Sequence, residues 1–162
     1  MLATPRSLSR RSVFRLTATA ALTAAGLAAA AGCSSGEDTA ATVDALTTHL
    51  RLARTDAATA GALIAVLPDR AGALGVVQAE RSAHADALAA EIDRVSGAPS
   101  TTASIAATPP AVTAPTLDGL RSSLNDSARG AASSARDESG YRAGLLGSIS
   151  AACTVQTTVV LA

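Results

Sequence analysis

Between residues 43 and 67 the apolar positions recur in alternating steps of three and four: Val43, Leu46, Leu50, Ala53, Ala57, Ala60, Ile64 and Leu67. A helix with one stripe turned towards a partner produces that spacing. Pro68-Asp69 closes the run, because proline disfavours a helical residue before it. A second helix is predicted from about Arg70 to Val95, with Leu74, Val77, Leu88, Ile92 and Val95 on its apolar face. So short a link makes the first two helices an antiparallel hairpin. Residues 96–115 break the pattern. Gly97, Pro99, Pro109, Pro110 and Pro115 lie there among Ser, Thr and Ala with no charge, the composition of an extended linker. Thr116 is placed to cap a third helix with Asp118 in its first turn and a seam of Leu117, Leu120, Leu124, Ala128, Ala131 and Ala135. A break at Ser139 or Gly140 precedes a fourth, through Leu145, Ile149, Ala152, Gln156 and Val159, whose β-branched end either frays or extends.

The expected fold is therefore an all-α four-helix bundle over residues 42–162, with the linker at 96–115. A helix of about 26 residues is roughly 39 Å long. Twenty residues in polyproline-like extension reach about 60 Å. The linker can therefore return along the whole bundle, giving two antiparallel hairpins joined by a long crossover. A loop between neighbouring antiparallel helices fits the same length.

Charge separates the N-terminus from the rest. Residues 1–32 hold Arg6, Arg10, Arg11 and Arg15 and no acid, whereas residues 33–162 hold nine Arg and all 13 acids. Leu16 to Ala31 is uncharged, and at 16 residues it is shorter than the roughly 20 that a spanning helix needs. A charged start, a short apolar stretch and small residues at its end predict a signal peptide over residues 1–32. Ser9-Arg10-Arg11-Ser12-Val13-Phe14 resembles the twin-arginine export motif, with Val13 where that motif usually has Phe. Arg10 and Arg11 also serve as plain leader charge for the general secretory route. Ala30-Ala31-Gly32-Cys33 looks like a bacterial lipobox. That resemblance implies cleavage between Gly32 and Cys33 and a diacylglycerol on the Cys33 thiol. Cleavage by the ordinary signal peptidase would leave that thiol free. Two acyl chains anchor where one does not. Residues 33–41 read as a flexible tether, and the chain as exported and held at the outer face of the cytoplasmic membrane. An acylated Cys33 leaves Cys153 alone, without an internal disulfide partner. No His stands near it in sequence and no thiolate-stabilising cation is evident, so a buried small hydrophobe is expected rather than a nucleophile.

Composition narrows the function. Ala supplies 41 of 162 positions, Lys and Trp are absent, and Phe14 and Tyr141 are the lone Phe and Tyr. Ala favours close-packed helices. Without basic excess or stacking aromatics, nucleic acid is not an expected partner.

Gln78-Ala79-Glu80-Arg81-Ser82-Ala83-His84-Ala85-Asp86-Ala87-Leu88 resembles the corresponding segment of the actinobacterial alanine-rich, ferritin-like proteins of unknown function. Gly144-Leu145-Leu146-Gly147-Ser148-Ile149-Ser150-Ala151-Ala152-Cys153 is similar to their last helix. The resemblance spans residues 42–162 and implies the ferritin-like hairpin–crossover–hairpin plan. A di-iron site in such a bundle needs a Glu on each of two helices and Glu-x-x-His on each of the others. The chain has no Glu-x-x-His. Neither a metal site nor a cofactor is expected, and no catalytic constellation presents itself. The candidate chemistry is a polar layer of His49, Glu80, Arg81, His84 and Glu91, either a ligand pocket or a satisfied network that sets helix register. The expected function is a membrane-tethered, non-catalytic structural or interaction module with a protein partner. The alternative is a ferritin-like protein that binds a small ligand or metal without a complete di-iron site.

Overall fold

A computed structural model describes residues 36–97 and 114–162 of the chain. The leader, Arg10, Arg11, Gly32, Cys33 and most of the linker lie outside the described residues. Within them the protein is all-helical, with no strand. Helix α1 spans Gly36–Val66, α2 Ala71–Ser96, α3 Leu117–Asp137 and α4 Gly140–Val155, the last running into a π-helical turn over Gln156–Val160.

Local chemistry sets the ends. The α1 helix stops at Val66, and Pro68–Arg70 forms a single 3₁₀ turn, closed by Arg70 N–H to Leu67 O at 2.9 Å. Gly97 ends α2 in the left-handed region at φ 67°, where glycine has no Cβ to clash. Thr116 caps α3, its Oγ1 accepting from Gly119 N–H at 3.0 Å. Glu138 and Ser139 are extended, and Gly140 at φ 57° turns the chain into α4.

Side-chain contacts give the helix directions. Asp56 of α1 meets Arg81 of α2, and Gly61 lies against Gln78, so α1 and α2 are antiparallel. Asp56 also meets Ser123 and Ser127 of α3, and His49 meets Ser134, so α3 runs opposite to α1. Glu80 reaches Gln156 and Glu91 faces Arg142, so α4 runs opposite to α2. The closest cross-hairpin approach is α1 on α3. There Asp56 meets Ser123 and Ser127 and His49 meets Gly130 and Ser134, while Ala53 and Ala60 on α1 and Ala128 and Ala131 on α3 are buried.

The core holds Leu46, Leu50, Leu63, Leu74, Val77, Leu88, Leu120, Leu124, Leu146, Ile149 and Leu161 with these alanines between them. Three expectations shift. Residues 36–41, expected as tether, are the first turns of α1, where Ala40 and Ala41 favour helix. On α1 a second seam, His49, Ala53, Asp56, Ala60 and Leu63, is buried beside the first, because α1 has two neighbours. On α4 Ile149 and Gln156 of the expected seam are buried, but Leu146 and Cys153 replace Leu145 and Ala152 in that line. The π turn, closed by Leu161 N–H to Gln156 O at 2.9 Å, carries Leu161 into the core and leaves Val159 69% exposed.

Candidate functional site

The centre of the bundle is an ion pair. Asp56 on α1 and Arg81 on α2 are each 1% exposed. Arg81 reaches this position because it lies in the middle of the α2 stripe that Leu74, Val77 and Leu88 define, as the spacing predicts. Its Nε and Nη2 donate to Asp56 Oδ2 at 3.1 and 2.9 Å. Nη2 also donates to Ser127 Oγ of α3 at 3.3 Å. Nη1 donates to His84 Nδ1 and to Cys153 Sγ of α4, both at 3.3 Å. These five bonds match the five N–H groups of a guanidinium, so its donor capacity is fully used. Asp56 receives Ser127 Oγ–H on Oδ2 at 3.1 Å and Ser123 Oγ–H on Oδ1 at 2.5 Å. One buried arginine thus touches a side chain on each of the other three helices.

Burial sets the protonation tendencies. It pushes the Asp56 carboxyl above its ordinary value, against the opposing pull of Arg81 and the two serine hydroxyls. Burial, and then the Arg81 charge, hold both His49 and His84 below their ordinary value. Arg81 can only donate, so His84 Nδ1 accepts and the neutral ring carries its proton on Nε2. Burial also raises Cys153, outweighing Arg81, which keeps the thiol protonated and a poor nucleophile. The expectation that no cation approaches Cys153 is corrected, since the fold brings Arg81 from 72 positions away.

The five residues expected in one polar layer divide into separate sites. Arg81 and His84 share the central network. Glu80 is exposed and accepts from Gln156 Nε2 at 2.6 Å. Gln156 is wholly buried, and its Oε1 has no partner among the described residues. His49 lies about 10 Å along the axis from Asp56. Its Nε2 is 3.0 Å from Ser134 Oγ. Glu91 is about 15 Å along α2 from Arg81. There it accepts from Arg94 Nε at 2.7 Å and faces Arg142, which donates to Glu138 at 2.6 Å. Asp56, Ser123, Ser127, Cys153 and Gln156 were missed as members of these networks. Asp56 had a legible signal: it continues the four-three spacing of His49, Ala53, Ala60 and Leu63.

Among the described residues no three His, Cys, Asp or Glu side chains come together as a metal site. Comparison with known proteins finds no matching family model, no matching curated protein and no matching solved structure.

Proposed function

We propose that this protein is a cell-envelope lipoprotein whose bundle is a non-catalytic structural or interaction module, held to the outer face of the cytoplasmic membrane through Cys33. The observation that carries the non-catalytic part is the closed accounting at Arg81. Every N–H is engaged with protein, and the thiol and imidazole it touches are neutral and held in place. A reacting substrate would find no free guanidinium N–H, no thiolate and no unengaged imidazole lone pair there. The network fixes the relative register of the helices. Anchoring rests on Ala30-Ala31-Gly32-Cys33 after a basic, then uncharged leader. The ferritin-like plan is supported by the antiparallel neighbour contacts, which set α2 and α3 in the same sense and suit a linker that returns along the bundle.

The test is Cys33→Ala expressed in the source bacterium or a related one. The variant should leave the membrane fraction and enter the medium, and full retention in the membrane would refute acyl anchoring. Metal analysis of the purified protein, with His49→Ala and His84→Ala beside it, addresses the metal-binding alternative. A stoichiometric divalent ion that both substitutions abolish would replace the non-catalytic reading.

A further inference from the structure

The four helices pair unequally. α1 lies along α2 and α3 along α4, but across the two hairpins only α1 and α3 approach closely, and α2 stands further from α4. Beside the shared apolar core, polar groups tie the hairpins together. Arg81 donates to Ser127 and Cys153, Asp56 accepts from Ser123 and Ser127, and Gln156 donates to Glu80. Both histidines of the chain belong to this junction. His49 of α1 meets Ser134 of α3. His84 lies on the side of α2 that carries Glu80 and Glu91, which meet Gln156 and Arg142 of α4. Each ring fits there as a neutral group. His84 Nδ1 accepts from Arg81 Nη1 at 3.3 Å. A proton on that nitrogen would set N–H against N–H and two positive charges side by side. His49 is 8% exposed, with Cε1 3.6 Å from where a Cβ on Gly130 would stand. The Arg81 charge acts on it with no acid opposing. At His84 only Glu80 opposes Arg81. The other groups that reach this cluster are Asp56 of α1, held by Arg81 and two serines, the neutral Cys153 and Gln156 of α4, and Ser127 of α3.

We propose that this junction is an acid-sensitive switch: protonation of His49 and His84 parts the hairpin of α1 and α2 from the hairpin of α3 and α4, while each hairpin stays folded. The opening falls between the hairpins because the closest helix pairings lie within them and both imidazoles lie outside those pairings. Burial and the Arg81 charge hold both rings below their ordinary 6.5 in the closed bundle. Parted helices release them from both influences, so the open form binds protons more tightly. As pH falls from 6.5 towards the closed-state values, each histidine raises the open-to-closed ratio by about tenfold per pH unit, and two together by about a hundredfold. Acid thus converts a closed bundle into two amphipathic hairpins whose leucine stripes face outward. The switch does not depend on acyl anchoring or on what the module binds.

Double electron–electron resonance between paired spin labels tests the proposal. The full chain carries Cys33→Ala and Cys153→Ser, the serine keeping an acceptor for Arg81. One labelled pair, Ala83→Cys on α2 with Ala151→Cys on α4, spans the junction, and a second, Ala62→Cys with Val76→Cys, spans α1 and α2; all four positions are exposed. Between neutral pH and about pH 5 the first distance should lengthen, the second should not change, and the helical signal in far-ultraviolet circular dichroism should persist. The open-to-closed ratio should change by about a hundredfold per pH unit, reduced to about tenfold by His49→Gln and by His84→Gln alone. A first distance that stays constant overturns the proposal, and is the result expected if the His84 ring simply turns outward. Lengthening of both distances with loss of the helical signal overturns it in favour of ordinary acid unfolding. Steepness retained in either variant also overturns it, and would place the trigger at Asp56 or Glu80.

Discussion

Replacing Arg81 by Met removes the one cation in the centre of the bundle and leaves Asp56 behind. In the protein Asp56 takes four hydrogen bonds, two from Arg81 and one each from Ser123 and Ser127. The variant keeps the two hydroxyl donors and loses the countercharge. With both partners 1% exposed, no water is at hand to compensate. Breaking such a pair from one side costs about 3–5 kcal/mol. The two remaining serine bonds place the expected loss near the lower end, roughly 3 kcal/mol. The paired change Arg81→Met with Asp56→Leu removes both charges and should recover most of that loss, because apolar replacement of a buried pair is often neutral or stabilising. Urea unfolding at neutral pH measures all three proteins. Acid titration adds a second signature. Asp56 has a raised folded-state value, so ionising it costs stability once pH exceeds the unfolded value of 3.8. Without Arg81 that value rises further, so the deficit of the single variant should shrink as pH falls towards 3.8. A loss below about 1 kcal/mol, or a double variant as unstable as the single, would refute the assignment of Asp56 as a buried countercharge.

Two further outcomes are expected. The histidines set a pH dependence of opposite sign to that of Asp56. Their folded-state values lie below the unfolded 6.5, so stability is lost as pH falls through 6.5 towards the folded value. His84→Gln keeps an acceptor for Arg81 and cannot protonate, so its urea midpoint should fall less steeply below pH 6.5 than that of the parent, and parallel curves would refute His84 as a contributor. Glycines should divide by backbone conformation. Gly97→Ala, at φ 67°, should cost about 1 kcal/mol in thermal or urea unfolding, whereas Gly75→Ala, with nothing within 4 Å, should gain up to about 1 kcal/mol; equal effects would refute the left-handed cap.

Heptad spacing, Pro68 and Thr116 made the helices and most of their ends legible, since these depend on residues close in sequence. Polar partners were harder to find. Arg81 was legible at the centre of its stripe because its neighbours on α2 are apolar. Asp56 was marked only by its spacing, because an acid beside an apolar seam ordinarily turns outward, and only a second packed neighbour pulls it in. His49, Glu80 and Glu91 are spread over several helical turns, and each meets a different local partner. On α4 the seam moved by one residue because Leu145-Leu146 and Ala152-Cys153 offer two adjacent apolar lines of similar strength. The π turn that places Leu161 has no spacing signal in a run as uniform as Val155 to Leu161.

An Ala-rich bundle poses a problem of register that its central polar network addresses. Ala53, Ala57 and Ala60 are buried on α1 and Ala128 and Ala131 on α3, and methyl groups make shallow knobs. Sliding one such helix past the other by a turn puts alanine in place of alanine at several of these positions, which therefore resist the slide little. Asp56 and Arg81 do not tolerate that slide. Moving α3 by one turn would leave only one of Ser123 and Ser127 in place to serve both Asp56 and Arg81. The guanidinium and carboxylate would then be buried with unmet hydrogen bonds, at about 1–3 kcal/mol for each group left unmet. Moving α4 would exchange Cys153, whose sulfur accepts from Arg81, for an Ile149 or Thr157 side chain of different shape and polarity. One residue contacting three other helices thus makes a single alignment cheaper than its neighbours. The buried charge therefore contributes specificity to a core whose small side chains supply little of their own.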